Sequence, residues 1–152
     1  MGQFRAEGFV EQDNLEFEPL SGTIRCKGEI SCLGDIVIAV DKLLEVLDGD
    51  RDPDVQTFLY AYNASVRGAG SFLRHDNAHA HPGHEDAHHR HVFDWQTGEE
   101  MRPPEWCGEE KWPTLGEFIG KVRDWYYSHS QELPNPNTFA AIGTRAGTKA
   151  AR

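Results

Sequence analysis

Seven of the eight histidines in this 152-residue chain lie between Arg74 and His91, in the segment RHDNAHAHPGHEDAHHRH, beside an Asp76-Asn77 pair. Imidazole exchanges a proton near neutral pH, and its neutral form is a good ligand for zinc, nickel, copper and iron. Two chemistries follow. With a divalent transition metal such as zinc, His79, His81 and His89 are candidate ligands, with Asp76, His88 and His91 as alternatives; spacing alone does not choose among them. Without a metal, one histidine removes a proton from a nucleophile such as a ribose 2′-hydroxyl and a second protonates the leaving oxygen. His88 and His91 are the chosen pair, with Arg74 stabilising charge on phosphorus, Asp76 orienting a histidine and Asn77 donating a hydrogen bond. The plainer alternative is a solvated, low-complexity loop that binds metal adventitiously. Against it, the segment mixes Arg, Asp, Asn and Pro with its histidines and directly follows a strand, where loops on a rigid scaffold tend to carry function.

A scaffold for such a loop is readable upstream. From Thr23, Ile24, Cys26, Gly28, Ile30 and Cys32 alternate with polar residues, the period of a half-buried strand. After the Gly34-Asp35 turn, Ile36 to Leu47 is too dense in apolar residues for periodicity to decide, but its Ile-Val-Ile opening favours strand. Val55 to Val66 puts Phe58, Tyr60, Tyr62 and Ala64 on one face, a role in core packing, and the Gly68-Ala69-Gly70 turn sends Ser71 to His75 back along it. The Thr114-Leu115-Gly116-Glu117 capping box predicts a helix from Leu115 to about Ser128, with an apolar stripe through Phe118, Ile119, Val122, Trp125 and Tyr126. His129 then reads as a partner of the helix dipole. Before Thr23 the pattern supports only a short strand around Phe4 to Val10, and the Pro-Pro and Gly of MRPPEWCGEEKWP predict a connector anchored by Trp106 and Trp112.

The bulk properties narrow the function classes. A formal net charge of −10 repels phosphate backbones at long range and argues against unspecific nucleic-acid binding. Three cysteines without a CxxC pair suggest neither a disulfide framework nor a zinc-thiolate site. No apolar run is long enough to span a membrane and MGQFRAEGF lacks a signal-peptide pattern, so the expectation is a cytoplasmic protein with no membrane partner.

The succession of FLYAYNAS, a Gly turn, LRHDNAHAHPG, AHHRH and an end helix resembles the TumE-like family of toxins from prokaryotic toxin–antitoxin pairs, over about residues 28 to 128. Arg74, Asp76, Asn77, His81, His88, His89 and His91 stand at the family's hallmark positions, and Tyr60 and Tyr62 match its aromatic strand. His75 stands where the family usually has Tyr or Trp. The resemblance implies a small α+β protein that inhibits growth unless a cognate antitoxin protein is present; cleavage of RNA is the reaction inferred for it here. The combined expectation is an α+β domain over residues 1–130, a curved, mostly antiparallel sheet of about four to six strands with a C-terminal helix packed on one face, and a flexible tail over residues 131–152.

Overall fold

In the computed structural model, which describes residues 1–48, 54–77, 88–108 and 112–144, the alternating stretch forms β3 (Thr23–Cys32) and the dense apolar run forms β4 (Ile36–Leu47). β4 pairs along its length with β3 on one side and with β5 (Asp54–Val66) on the other. A central strand suits its β-branched residues, which fit a pleated surface. The loop between β3 and β4 turns through Gly34 (φ 80°) and Asp35 (φ 59°). There a Cβ on Gly34 would meet the Tyr126 ring and Leu133 at 2.8 Å.

β6 (Ser71–Asp76), β7 (His89–Val92) and β8 (Glu105–Trp106) extend the sheet beyond β5. On the opposite side, β1 (Val10–Asp13) and β2 (Glu16–Leu20) both pair with β3, so among the described residues the open antiparallel sheet has eight strands. That exceeds the expected number because β1, β2 and β8 are too short to show a period and form only as additions to neighbouring strands. The strand expected around Phe4 to Val10 is instead α1 (Gly2–Ala6), closed by Gly8 at φ 78° before β1 begins at Val10. The connector carrying Trp106 includes the short β8, which pairs with β7.

α2 (Leu115–His129) covers one face of the sheet with Phe118, Ile119, Val122 and Tyr126 buried. Phe118 meets Tyr62 at 5.5 Å between centroids and Trp125 stacks on Phe72 at 3.7 Å. Full burial of each such side chain contributes about 1.5–3 kcal/mol. The capping box forms as expected: Thr114 Oγ1 accepts from the Glu117 backbone N–H and Glu117 Oε2 from that of Thr114. At the other end His129 Nδ1 lies 2.8 Å from the Trp125 carbonyl, as its helix-end role requires. Thr114→Ala should therefore lower stability by about 1 kcal/mol, measured by urea unfolding, with no change in the opposite sheet face.

Residues 131–144 do not behave as a free tail. Leu133 and Ala140 are buried, Phe139 bridges Leu33, and the Ala140 carbonyl accepts from Ser31 Oγ at 2.6 Å. Composition hides this because small residues anchored by backbone carbonyls carry no hydrophobic period; residues 145–152 lie outside the described residues. Among the described residues, no helix is long and apolar enough to cross a membrane.

Candidate metal centre

Two irregularities in strand pairing decide which side chains reach the face of the sheet away from α2. Between β5 and β6, Ala64 pairs with Leu73 and Ser65 with Ser71, leaving Phe72 as an extra residue in a bulge. In a regular strand Phe72, Arg74 and Asp76 would share a face. Here Phe72 stacks on Trp125 of α2, while Arg74 and Asp76 lie opposite Asn63 and Ala61, on the face away from the helix. A second bulge, at Phe58, separates it from the buried Tyr60, Tyr62 and Ala64, so Phe58 is 45% exposed and not part of the expected core face.

The pairing of β6 with β7 completes the cluster. Asp76 lies directly opposite His89, and Arg74 opposite His91. Asp76 and His89 are each only 1% exposed. Asp76 Oδ2 accepts from Arg74 Nε at 2.7 Å, and its Oδ1 lies 3.2 Å from His89 Nε2. The rings of His89 and His91 are 4.7 Å apart and nearly perpendicular. One ligand atom each from Asp76, His89 and His91 falls within 4.8 Å of the others, a group that could hold a metal ion. Ligands of a tetrahedral zinc stand about 3.3 Å from one another, so small side-chain rotations bring these three to bonding distance.

Glu100 is the residue that sequence reasoning missed. Its Oε1 accepts from His91 Nδ1 at 2.7 Å. The chain returns to β7 through a turn in which Asp94 Oδ1 accepts from the backbone of Gln96 and Thr97 and the Asp94 carbonyl accepts from Gly98. The Asp94…Gly98 spacing is a turn signature, so the turn was there to be read, though its delivery of Glu100 to His91 was not.

Other expected site residues have different surroundings. His88 falls on the other side of β7 from His89 and His91, because successive residues of a strand point to opposite faces. Its Nδ1 is 3.1 Å from the Tyr60 hydroxyl and its ring stacks on Trp112 at 5.3 Å, so it does not pair with His91. Asn77 clamps the end of β6: its Oδ1 accepts from the Tyr60 N–H and its Nδ2 donates to the Phe58 carbonyl. His79 and His81 lie outside the described residues. His75 faces α2, buried beside Tyr62 and Phe118, with neither ring nitrogen hydrogen-bonded. Burial, with Lys121 and Arg90 adding repulsion, pushes its pKa down to about 3, so it stays neutral at physiological pH. Burial likewise raises the Tyr62 hydroxyl to about 12.

Comparison of the chain with protein-family models, with curated proteins and with solved structures finds no match.

Proposed function

We propose that the protein is a metal-dependent hydrolase of RNA phosphodiesters, in which Asp76, His89 and His91 hold a divalent transition ion such as zinc. The convergence of these three ligand atoms within 4.8 Å, on adjacent strands, carries the reading. Two imidazoles and one carboxylate form a donor set suited to zinc or iron and leave coordination positions for water and substrate. A bound ion would supply Lewis acidity there. Glu100, accepting from His91 Nδ1, leaves Nε2 as that ring's ligand atom and fixes its orientation. Arg74, held to Asp76, stands where it can stabilise charge developing on phosphorus. The resemblance to TumE-like toxins suggests a cognate antitoxin as the partner that restrains the activity; RNA as the substrate is our own inference, and the cytoplasm is the proposed setting.

A second reading uses the same residues without a metal. Each histidine has its own carboxylate, His89 with Asp76 and His91 with Glu100, and the two rings lie 4.7 Å apart beside Arg74. That arrangement suits a general acid and a general base. Elemental analysis of freshly purified, tag-free protein, followed by incubation with total RNA with and without chelator, separates the two. Stoichiometric metal, with cleavage lost on chelation and restored by one defined ion, is the expected result. Cleavage that survives complete metal removal would transfer the role to the acid/base pair. Neither metal nor cleavage would overturn both readings and favour a non-catalytic, partner-binding protein.

A further inference from the structure

The face that carries the metal centre also carries a groove built from two neighbouring rows of the sheet. Strand pairing sets Lys27, Asp41, Ala61, Asp76 and His89 side by side in one row, and Glu29, Ala39, Asn63, Arg74 and His91 in the next. Long side chains occupy the ends of these rows and alanines the middle. The result is a depression of about 300 Å³ floored by Ala39 and Ala61, with Lys27 at one end and Arg74 at the other. A second depression of about 300 Å³ continues it along the sheet, sharing Asp41 and Ala61 and adding Leu43 and Leu59.

The charges in the groove are not what the acidic chain as a whole suggests. Asp41 is held by Arg25 through two hydrogen bonds at 2.7 and 3.1 Å, and Glu29 by Arg67 at 3.0 Å. Among the described residues, Asp41 and Glu29 are answered by arginines and Asp76 by Arg74, so Lys27 and the terminal amino groups of Arg74, whose charge is shared with Asp76, are the donors left for a ligand. Arg74 Nε donates to Asp76 Oδ2, so the cation at that end is tied directly to the candidate metal centre. Between the cations, Asn63 donates Nδ2 to Ser71 Oγ at 3.0 Å, which leaves its side-chain carbonyl to accept from a hydroxyl or amino group.

We infer that this groove binds a nucleotide unit bearing a phosphate at each end, either a stretch of single-stranded RNA or a free nucleoside bisphosphate. Sugar and base lie on Ala39 and Ala61, one phosphate meets Lys27, and the other meets Arg74 beside Asp76. β3 and β6 stand about 14 Å apart at strand spacing, and the long side chains of Lys27 and Arg74 shorten that span from both ends. A groove with a cation at each end and an apolar floor suits a single strand, and it would let a chain of net charge −10 select RNA locally while rejecting it elsewhere. The inference deepens the hydrolase reading and rests on it only for which phosphate is attacked.

The test measures binding to the full chain with chelator present, so that it does not depend on the metal. The probes are a fluorescent single-stranded RNA of about ten nucleotides and adenosine 3′,5′-bisphosphate, with adenosine 5′-monophosphate as the one-phosphate comparison. Lys27→Glu reverses an exposed charge, and Ala61→Leu fills the floor. Each should weaken binding by at least about tenfold. Binding of the bisphosphate would identify a free nucleotide as sufficient; binding of RNA alone would identify the strand. Where Ala61→Leu lowers the unfolding temperature, Lys27→Glu decides. No binding of either probe, or affinity indifferent to Lys27→Glu, overturns the groove assignment. A missing metal in the elemental analysis overturns the metal centre and leaves these affinities to be judged by themselves.

Discussion

Asp76→Ala is expected to lower affinity for zinc or cobalt by at least about a hundredfold and to destabilise the fold by about 2–4 kcal/mol. Both effects come from one buried carboxylate. It supplies the anionic ligand of the three-residue group, and it answers both Arg74 and His89 in a site where Asp76 and His89 are almost fully excluded from solvent. Without it His89 stays buried and loses this partner, while Arg74, whose side chain is 36% exposed, can rehydrate; the loss should therefore fall below that of a fully enclosed ion pair. Asp76→Asn separates the two effects. It keeps the volume and one acceptor oxygen, so stability should fall by only about 1 kcal/mol, while the loss of charge removes most of the metal affinity. Cobalt titration followed by absorbance reads the first quantity, and urea unfolding of metal-free protein reads the second. Metal affinity unchanged in Asp76→Ala would place the ion elsewhere, and the histidines between residues 78 and 87 would be the next candidates.

His75→Leu should act in the opposite direction. A buried imidazole without a hydrogen bond costs about 1–3 kcal/mol relative to an apolar side chain of similar volume, so the variant should be more stable at pH 7.5 by an amount in that range. Its benefit should grow in acid. The folded-state pKa of about 3 lies below the ordinary histidine value of 6.5, so below pH 6.5 the unfolded chain takes up a proton that the folded chain refuses. This contribution to stability is intact above pH 6.5 and falls by about 1.4 kcal/mol per pH unit between 6.5 and 3. Lys121 on α2 and Arg90 opposite on β7 reinforce the refusal, as His89 does, while the charge of Asp76 opposes it. Urea unfolding at pH 7.5 and 5.5 should show the gap between His75→Leu and the natural protein widening by about 1 kcal/mol, since other histidines contribute equally to both. A constant gap would mean that His75 gains a proton partner in the folded state.

Much of the scaffold could be read from local pattern. Alternation in β3, the β-branched opening of β4 and the Thr114–Glu117 box each encode their element within a few residues, because strand period and helix capping are satisfied by near neighbours. The clustering of histidines pointed to β6 and β7, where Asp76, His89 and His91 converge. Pattern failed where an element has no period of its own: β1, β2 and β8 exist as edge additions, and residues 131–144 are held by carbonyl hydrogen bonds to Ser31 and Arg67.

The sequence by itself determined that an α+β sheet would end one strand in Arg74, Asp76 and a run of histidines, with a capped helix to cover one face. Tertiary structure alone decided which of those histidines lie together. Phe72 enters a bulge in which it stacks against Trp125, far away in the chain, and the one-residue offset turns Arg74 and Asp76 to the face away from α2. The pairing of β7 then brings His89 and His91 to them and leaves His88 against Tyr60 and Trp112. Side chains alternate along a strand, so a single inserted residue exchanges the faces of every residue beyond it, and its place is set by packing contacts that no local stretch of sequence contains.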